Sequence, residues 1–475
     1  MKILLIQPAA RNMVASIVPE YVVEGAGHYP PLGLLYIAAS LKKNASAAVE
    51  ILDASLDDLT DDDIKREVLT RRPDVVGITA TTFTLVDAVN AARAVKEADP
   101  GAHVCIGGPH TSVYPDETIA LPCVDSIVLG EGEESFAELV RRLEAGRGLE
   151  GVEGVFFKTG GAVKKNPLRG FIQDLDAVPF PARELLEYRR YRSVIGAGEL
   201  FTTLISSRGC PFNCLYCYQA FGRRYRARSA AGIIAEIREC LALGIKEFWF
   251  FDDNFTADRR RTHEFCDALL DGKLGVSWDM RTRVDLLDDE LLGRLKAAGC
   301  RRVFIGIESG VKKTLLTLRK RIDLGRARTT LALVKKHGFE TYLDFMIGSP
   351  GETREEILRT IDFAIELDPD YVQFAVTTPY PDTDLYKMGL ETKAFKEDYW
   401  RKFAANPSKD FKPVLLNEHL SAAELAGLLD FAYKKFYMRP KYILKRLLSL
   451  RSLSDLPHMG KAAVRLCLKT LTAKG

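Results

Sequence analysis

The chain has 475 residues, 47% of them hydrophobic and 28% charged, the balance of a folded protein with room for two or three domains. A formal net charge of +3 excludes a global attraction to nucleic acid, and no stretch reaches the roughly 18 uninterrupted apolar residues of a spanning helix. Nine cysteines, an odd number with no secretory pattern ahead of them, point to a reducing cytoplasm, where cysteines are ligands or core residues before they are disulfides.

Met1-Lys-Ile-Leu-Leu-Ile-Gln reads as a first strand, over Ile3 to Gln7, and not as the apolar core of a leader. Helical spacing follows over Leu32 to Leu41, then a strand over Val49 to Leu52, a helix over Asp61 to Arg71, a strand over Val75 to Thr79 and a helix over Thr84 to Ala98. Val104 to Ile106 and Ser126 to Leu129 are further strands, ending in Gly107-Gly108-Pro109 and Gly130-Glu131-Gly132-Glu133. Strands alternating with helices predict a parallel, doubly wound sheet with its ligand at the strands' carboxyl ends, where these glycine turns fall.

Residues 146–195, with Gly160-Gly161 and Val178-Pro-Phe-Pro181, read as a connector. A second repeat then begins, with strands expected over Leu204 to Ser206, Glu247 to Phe251, Trp278 to Thr282, Arg302 to Ile307, Thr341 to Met346 and Tyr371 to Ala375. Helical patterns such as Ala231 to Leu243 and Leu286 to Ala298 separate them, which predicts a parallel barrel with its site at the C-terminal mouth. After Pro413 the pattern becomes helical and basic.

The sharpest motif directly follows the first of these strands: Arg208-Gly-Cys210-Pro-Phe-Asn-Cys214-Leu-Tyr-Cys217. Three thiolates on one loop can wrap a face of a [4Fe–4S] cubane, and with no fourth cysteine nearby one iron stays open to a substrate. Zinc is the competing reading, but it asks for a fourth Cys or His, and His263 and Cys266 lie far along the chain on one face of a helix.

The Cys-x3-Cys-x2-Cys run resembles the radical S-adenosylmethionine superfamily over roughly residues 200 to 385. The resemblance implies that the open iron chelates the amino and carboxylate groups of S-adenosylmethionine. It places Tyr216 beside adenine, although an ordinary core tyrosine is an equal reading. Asp252 and Asp253 end the second barrel strand, where the family binds the methionine amino group, though acids here replace the usual Gly-Gly-Glu. Arg281 or Arg283 could pair with the methionine carboxylate, against the alternative of a salt bridge to nearby acids. Glu308 resembles the residue that hydrogen-bonds the ribose, and Gly348 lies in a turn that could admit adenosine or simply shape the chain.

The N-terminal region resembles the cobalamin-binding domain of the B12-binding class of these enzymes. The match is carried by Thr79, Thr81 and Thr82, by Gly107, Gly108 and His110, and by Gly130, Glu131 and Gly132. Short glycine turns let backbone approach a corrin edge. One departure is that Asp53-Ala-Ser55 stands where many cobalamin domains carry a histidine for the lower face of cobalt.

The expected organisation is α/β: a Rossmann-like cobalamin-binding domain over 1–145, the connector over 146–195, a partial (β/α)6 radical barrel of TIM type over 196–400, and a helical, basic region over 401–475. The implied function is a cobalamin-dependent C-methyltransferase using a [4Fe–4S] cluster, S-adenosylmethionine and B12. The alternatives are an oxidative cyclase or carbon–carbon coupling enzyme with the same cofactors, and a zinc-bearing, non-redox binding protein. A flavodoxin or ferredoxin would supply electrons. The basic residues from Lys434 onward, interleaved with leucines, suggest a helix on an anionic membrane face and hence a lipid or isoprenoid substrate, against the alternative of a solvated helix packed on the barrel.

Overall fold

The computed structural model describes residues 1–17, 27–45, 47–191 and 200–448. The first half runs β1 (Lys2–Gln7), α1 (Leu32–Asn44), β2 (Ala48–Asp53), α2 (Asp61–Arg71), β3 (Val75–Thr79), α3 (Leu85–Ala98), β4 (His103–Gly107), α4 (Pro109–Val113), α5 (Pro115–Ala120), β5 (Ser126–Val128) and α6 (Gly132–Glu144). Its sheet has the order β2-β1-β3-β4-β5 in parallel, so the side on which successive strands are added switches after β2, leaving a switch point between β1 and β3. Alternation along β1 explains the two covered faces. Leu4 and Ile6 pack with α2 and α3, while Ile3 and Leu5 pack with α1 and α6.

The segment read as a connector extends this sheet. β6 (Val155–Thr159) and β7 (Ala162–Lys165) form a hairpin that adds antiparallel to β5. Gly160 and Gly161 turn it, both with positive φ.

The second half runs β8 (Phe201–Leu204), β9 (Ser207–Arg208), β10 (Arg226–Ala227), α7 (Ala230–Ala242), β11 (Glu247–Phe250), α8 (Arg259–Gly272), β12 (Ser277–Thr282), α9 (Asp289–Ala297), β13 (Cys300–Glu308), α10 (Lys312–Thr317), α11 (Leu324–Lys336), β14 (Glu340–Ile347), α12 (Arg354–Leu367) and β15 (Tyr371–Val376). Six parallel strands stand in chain order from β8 through β11 to β15, so the barrel is open between its first and last strands. The first strand ends at Leu204 rather than running to Ser206. Beyond it follow α13 (Asp384–Glu391), α14 (Tyr399–Ala405), α15 (Ala422–Tyr437) and α16 (Pro440–Leu448).

An open parallel sheet leaves backbone groups on its edges. Helix α15 covers β15 with two tyrosines. Tyr433 Oη donates to Phe374 O at 3.0 Å and accepts from its N–H at 3.2 Å, and Tyr437 Oη does the same at Val372, at 2.7 and 3.0 Å. On the other edge, buried Arg183 donates to Thr203 O at 3.0 Å. The two halves share one core: Leu385, Tyr386, Trp400 and Phe403 of α13 and α14 pack in the same cluster as Val86 and Ile119 of the first half.

The basic face at the start of the C-terminal region is paired within the fold. Lys434 meets Asp430, Lys435 meets Asp362, Lys441 meets Asp368 and Lys445 meets Asp370. The rest of the expected membrane-contact segment lies outside the described residues, and no helix among those described is long and apolar enough to cross a membrane.

Candidate active site

The cysteine loop occupies residues 209–225, and β9 and β10 pair antiparallel at its base. Gly209 opens it with φ +84°, and a Cβ there would press on the carbonyl oxygens of Arg224 and Gly222, so only glycine allows the chain to turn. Cys210 N donates to Gly222 O at 3.3 Å and Cys217 N to Cys214 O at 3.3 Å, which folds the loop back on itself. Burial raises the Cys210 thiol. The Cys217 thiol is pushed up to about 12, by desolvation first and then by Asp253, Cys214 and Cys210. The Cys210 and Cys217 thiols thus hold their protons until a metal displaces them. No group of three or more His, Cys, Asp or Glu converges to hold a single ion among the described residues, whereas a cubane takes one thiolate at each of separate corners. The other described cysteines, Cys105, Cys123, Cys240, Cys266 and Cys300, are buried. The donor set therefore fits a [4Fe–4S] cluster with one iron left open.

Around this loop the structure gathers Tyr216, Glu308 and Arg283. Tyr216 Oη donates to Glu308 Oε1 at 2.7 Å, and Lys320 Nζ donates to the same oxygen at 2.9 Å. Glu308 Oε2 has no partner among the described residues. Glu308 has φ +71°, a strained conformation for a non-glycine residue that the surrounding contacts must hold. Arg283 donates to Asp285 at 2.9 and 3.0 Å, to Lys320 O at 2.8 Å and to Cys214 Sγ at 3.9 Å, and stacks 4.1 Å over Phe212. It belongs to the wall of the cysteine loop. Arg281 makes no ion pair among the described residues, and its guanidinium lies 4.9 Å from the Phe251 ring centre.

The two adjacent acids part company. Asp252 is buried and saturated: it accepts from Ser206 N at 2.7 Å and from the hydroxyls of Ser206 and Ser207 at 2.6 Å each. The expectation of a cofactor contact from Asp252 gives way to a structural one, because both oxygens hold the turn that launches the cysteine loop. Asp253, one residue on, is exposed and acts on the thiols. Gly348 has φ +74°, and a Cβ there would come within 2.7 Å of Leu425 Cδ2, so this glycine also admits α15.

Sequence reasoning missed Lys320 and the barrel interior. Along β14, Leu343 and Phe345 face the helices while Tyr342 and Asp344 face inward. Phe304 and Tyr342 lie 4.9 Å apart on this concave side, and Tyr29 reaches in to 5.5 Å from Trp249. Below them Arg302 pairs with Asp279 and Glu340, closing the far end. Burial, with Glu308 adding, raises the Asp344 carboxyl to about 7, against the opposing Arg281 and Lys320. From about pH 4 to 7 the folded chain thus binds more protons at this site than the unfolded chain, and stability falls as pH rises. Asp344→Asn removes that slope. In urea melts its stability should gain on the native chain across this window by on the order of 2–4 kcal/mol, then run parallel to it above pH 7. Parallel curves throughout would mean that Asp344 titrates normally.

In the first half, a cavity of about 280 Å³ opens at the switch point between β1 and β3. Thr79, Gly107, Gly108, Gly130, Glu131 and Gly132 line it. Gly108, at φ +99°, leaves room where a Cβ would stand 2.7 Å from Ala80 O. Thr81, Thr82 and His110, expected to join them, lie outside this lining. Thr81 instead caps the turn with Thr84, and Thr82 Oγ1 bonds His110 Nδ1 at 3.0 Å. His110 is fully buried, its imidazole driven down to about 3 by burial, with Nε2 unpartnered among the described residues. Asp53, ahead of Ser55, accepts from Tyr191 Oη at 2.9 Å. The cavity's other wall comes from the second half: Ile205, Arg208, Tyr218 and Phe221, at the base of the cysteine loop and within it.

Residues 204–364 match the Radical SAM superfamily and residues 21–140 match the B12 binding domain. The chain belongs to the radical SAM superfamily, among the enzymes that carry a B12 binding domain ahead of the barrel. It is 36% identical over 449 residues to an uncharacterized methyltransferase of Pyrococcus horikoshii, covering 94% of each chain. It is 30% identical to the anaerobic magnesium-protoporphyrin IX monomethyl ester cyclase of Rubrivivax gelatinosus, over 93% of this chain and 78% of that one. The fold matches the cobalamin-dependent S-adenosylmethionine radical enzyme OxsB, solved with aqua-cobalamin and S-adenosylmethionine, with a TM-score of 0.73 over 98% of this chain and 70% of that one at 17% identity. This membership sets aside the zinc-bearing, non-redox alternative.

Proposed function

We propose that the chain is a cobalamin-dependent radical S-adenosylmethionine methyltransferase acting on an unactivated carbon. The observation that carries this reading is the cavity at the switch point, one of whose walls is built by the cysteine loop, so that the two cofactor sites adjoin. Cys210, Cys214 and Cys217 would hold the [4Fe–4S] cluster, and Thr79, Gly107, Gly108, Gly130 and Gly132 would meet the corrinoid. When bound, these groups supply an electron that splits the sulfonium of S-adenosylmethionine and a methyl group for transfer. Glu308 Oε2 is open to accept from the ribose hydroxyls, while Tyr216 and Lys320 fix Oε1. Arg281 stacks on Phe251 and keeps its charge available to the methionine carboxylate. Asp253 suits the amino group. Aromatic rings inside the barrel suit an apolar substrate, a small molecule or a lipid. A flavodoxin or ferredoxin would deliver the electron.

The test is anaerobic reconstitution with iron, sulfide and hydroxocobalamin, followed by an assay for 5′-deoxyadenosine. The native chain should form it, and Cys214→Ala should not. Undiminished formation by that variant would falsify the reading. The cyclase relative keeps oxidative cyclisation as a second reading, and product mass separates the two: gain of one CH2 marks methylation, loss of hydrogen marks oxidation.

A further inference from the structure

The cysteine loop is tied to the other half of the molecule at both of its ends. Arg208 and Arg226 face each other across β9 and β10, and both grasp one carboxylate. Arg208 Nη1 donates to Glu131 Oε1 at 2.8 Å, and Arg226 Nη1 donates to Glu131 Oε1 and Oε2 at 3.0 and 3.1 Å. Arg208 Nη2 donates to Glu133 Oε1 at 2.5 Å. Ile172 N–H adds a bond to Glu131 Oε2 at 2.6 Å. All four charged residues are buried, with relative exposures between 5% and 7%. Tyr36 and Phe221 flank the Arg208 guanidinium at 5.5 and 5.2 Å, and Phe171 lies 4.8 Å from that of Arg226.

Stability alone does not account for such a quartet. Desolvating the four charges costs about what their attraction returns, so an apolar set of similar volume would serve as well. Its placement is the informative part. Glu131 and Glu133 flank Gly132, which starts α6, and all three line the cavity together with Arg208. Arg208 is separated from Cys210 only by the conformationally fixed Gly209. A ligand wedged into the cavity bears on the same glutamates that anchor both ends of the cysteine loop.

We propose that Arg208, Arg226, Glu131 and Glu133 are positioning residues that couple the cavity to the cysteine loop: corrinoid binding and cluster assembly each favour the other. The proposal rests on the reading of the cavity as the corrinoid site. Such coupling is reciprocal, so it can be read from either partner.

The experiment is equilibrium dialysis of hydroxocobalamin against the full chain, cluster-loaded and cluster-free. In the native chain, loading the cluster should tighten hydroxocobalamin binding by about 5-fold or more. Glu131→Gln places an amide N–H2 against the donors of Arg226 and Ile172, and should bring the ratio of the two affinities close to one. Arg208→Lys keeps the charge but loses the two-pronged contact, and should give an intermediate ratio. A merely structural role would lower both affinities and leave their ratio intact. Equal affinities in the native chain, or a native ratio in Glu131→Gln, overturn the coupling while leaving the corrinoid site standing. No binding in either state overturns both.

Discussion

Replacing Glu308 by glutamine is expected to lower 5′-deoxyadenosine formation by ~10- to 100-fold, since hydrogen bonds to a charged group are worth about 1.5–3 kcal/mol and each factor of ten in rate corresponds to about 1.4 kcal/mol. Glu308 and Lys320 are each no more than 7% exposed, and Tyr216 shares the same carboxylate oxygen. The glutamine cannot neutralise the Lys320 ammonium, and one of its two positions turns from acceptor to donor. Stability should fall with activity, which leaves structure and function mixed in the single variant. The double variant Glu308→Leu with Lys320→Met separates them. An apolar pair of similar volume restores folding, because the ionic pair returned little net stability. It offers nothing to a ribose hydroxyl, so cleavage stays lost. The measurements are 5′-deoxyadenosine yield, iron content and urea midpoint for native, single and double variants. Recovery of cleavage along with stability in the double variant would reduce Glu308 to scaffolding.

Much of the fold was legible because its signals are local. The three cysteines lie within one loop, and the apolar strands and glycine turns of the first half state their own spacing. What escaped depends on contacts distant in sequence or on register. Asp252 and Asp253 are equivalent acids in the sequence, but successive residues of an extended chain point to opposite sides, so one holds Ser206 and Ser207 while the other is exposed and acts on the thiols. Glu131 stood out as part of a glycine loop, yet its carboxylate is engaged by arginines 77 and 95 residues away. Lys320 sits in a basic run that reads as solvated surface, and only the fold brings it to Glu308. The hairpin at Gly160-Gly161 was hidden because β6 and β7 are short and β7 is exposed throughout. Lysines at 434, 435, 441 and 445 suggested a surface for anionic lipid, but their carboxylate partners lie on α12, on α15 itself and in the loop before β15, which a charge run cannot reveal.

Gly108→Ala tests the first half as directly as Glu308 tests the second. Gly108 holds φ +99°, a conformation that alanine adopts only with strain, and the added Cβ would stand 2.7 Å from Ala80 O and 3.0 Å from Thr79 Oγ1. Neither obstacle can swing aside cheaply. Ala80 N–H donates to Gly107 O at 2.8 Å and Ala80 O accepts from His110 N–H at 3.1 Å, so the two glycine-bearing strand ends are laced together. The substitution must push β3 and β4 apart where Thr79, Gly107 and Gly108 line the cavity. The cysteine loop makes none of these bonds. Hydroxocobalamin affinity should therefore fall by ~10-fold or more, as expected for backbone strain on the order of 1–3 kcal/mol, while iron and sulfide content of the chain reconstituted without corrinoid stay native. Cleavage of S-adenosylmethionine should persist at reduced rate, because the groups around Glu308 are untouched. Equilibrium dialysis and metal analysis on the same preparation decide it: native corrinoid affinity in Gly108→Ala would place the corrinoid elsewhere, and loss of iron would mean that the two halves cannot be perturbed independently.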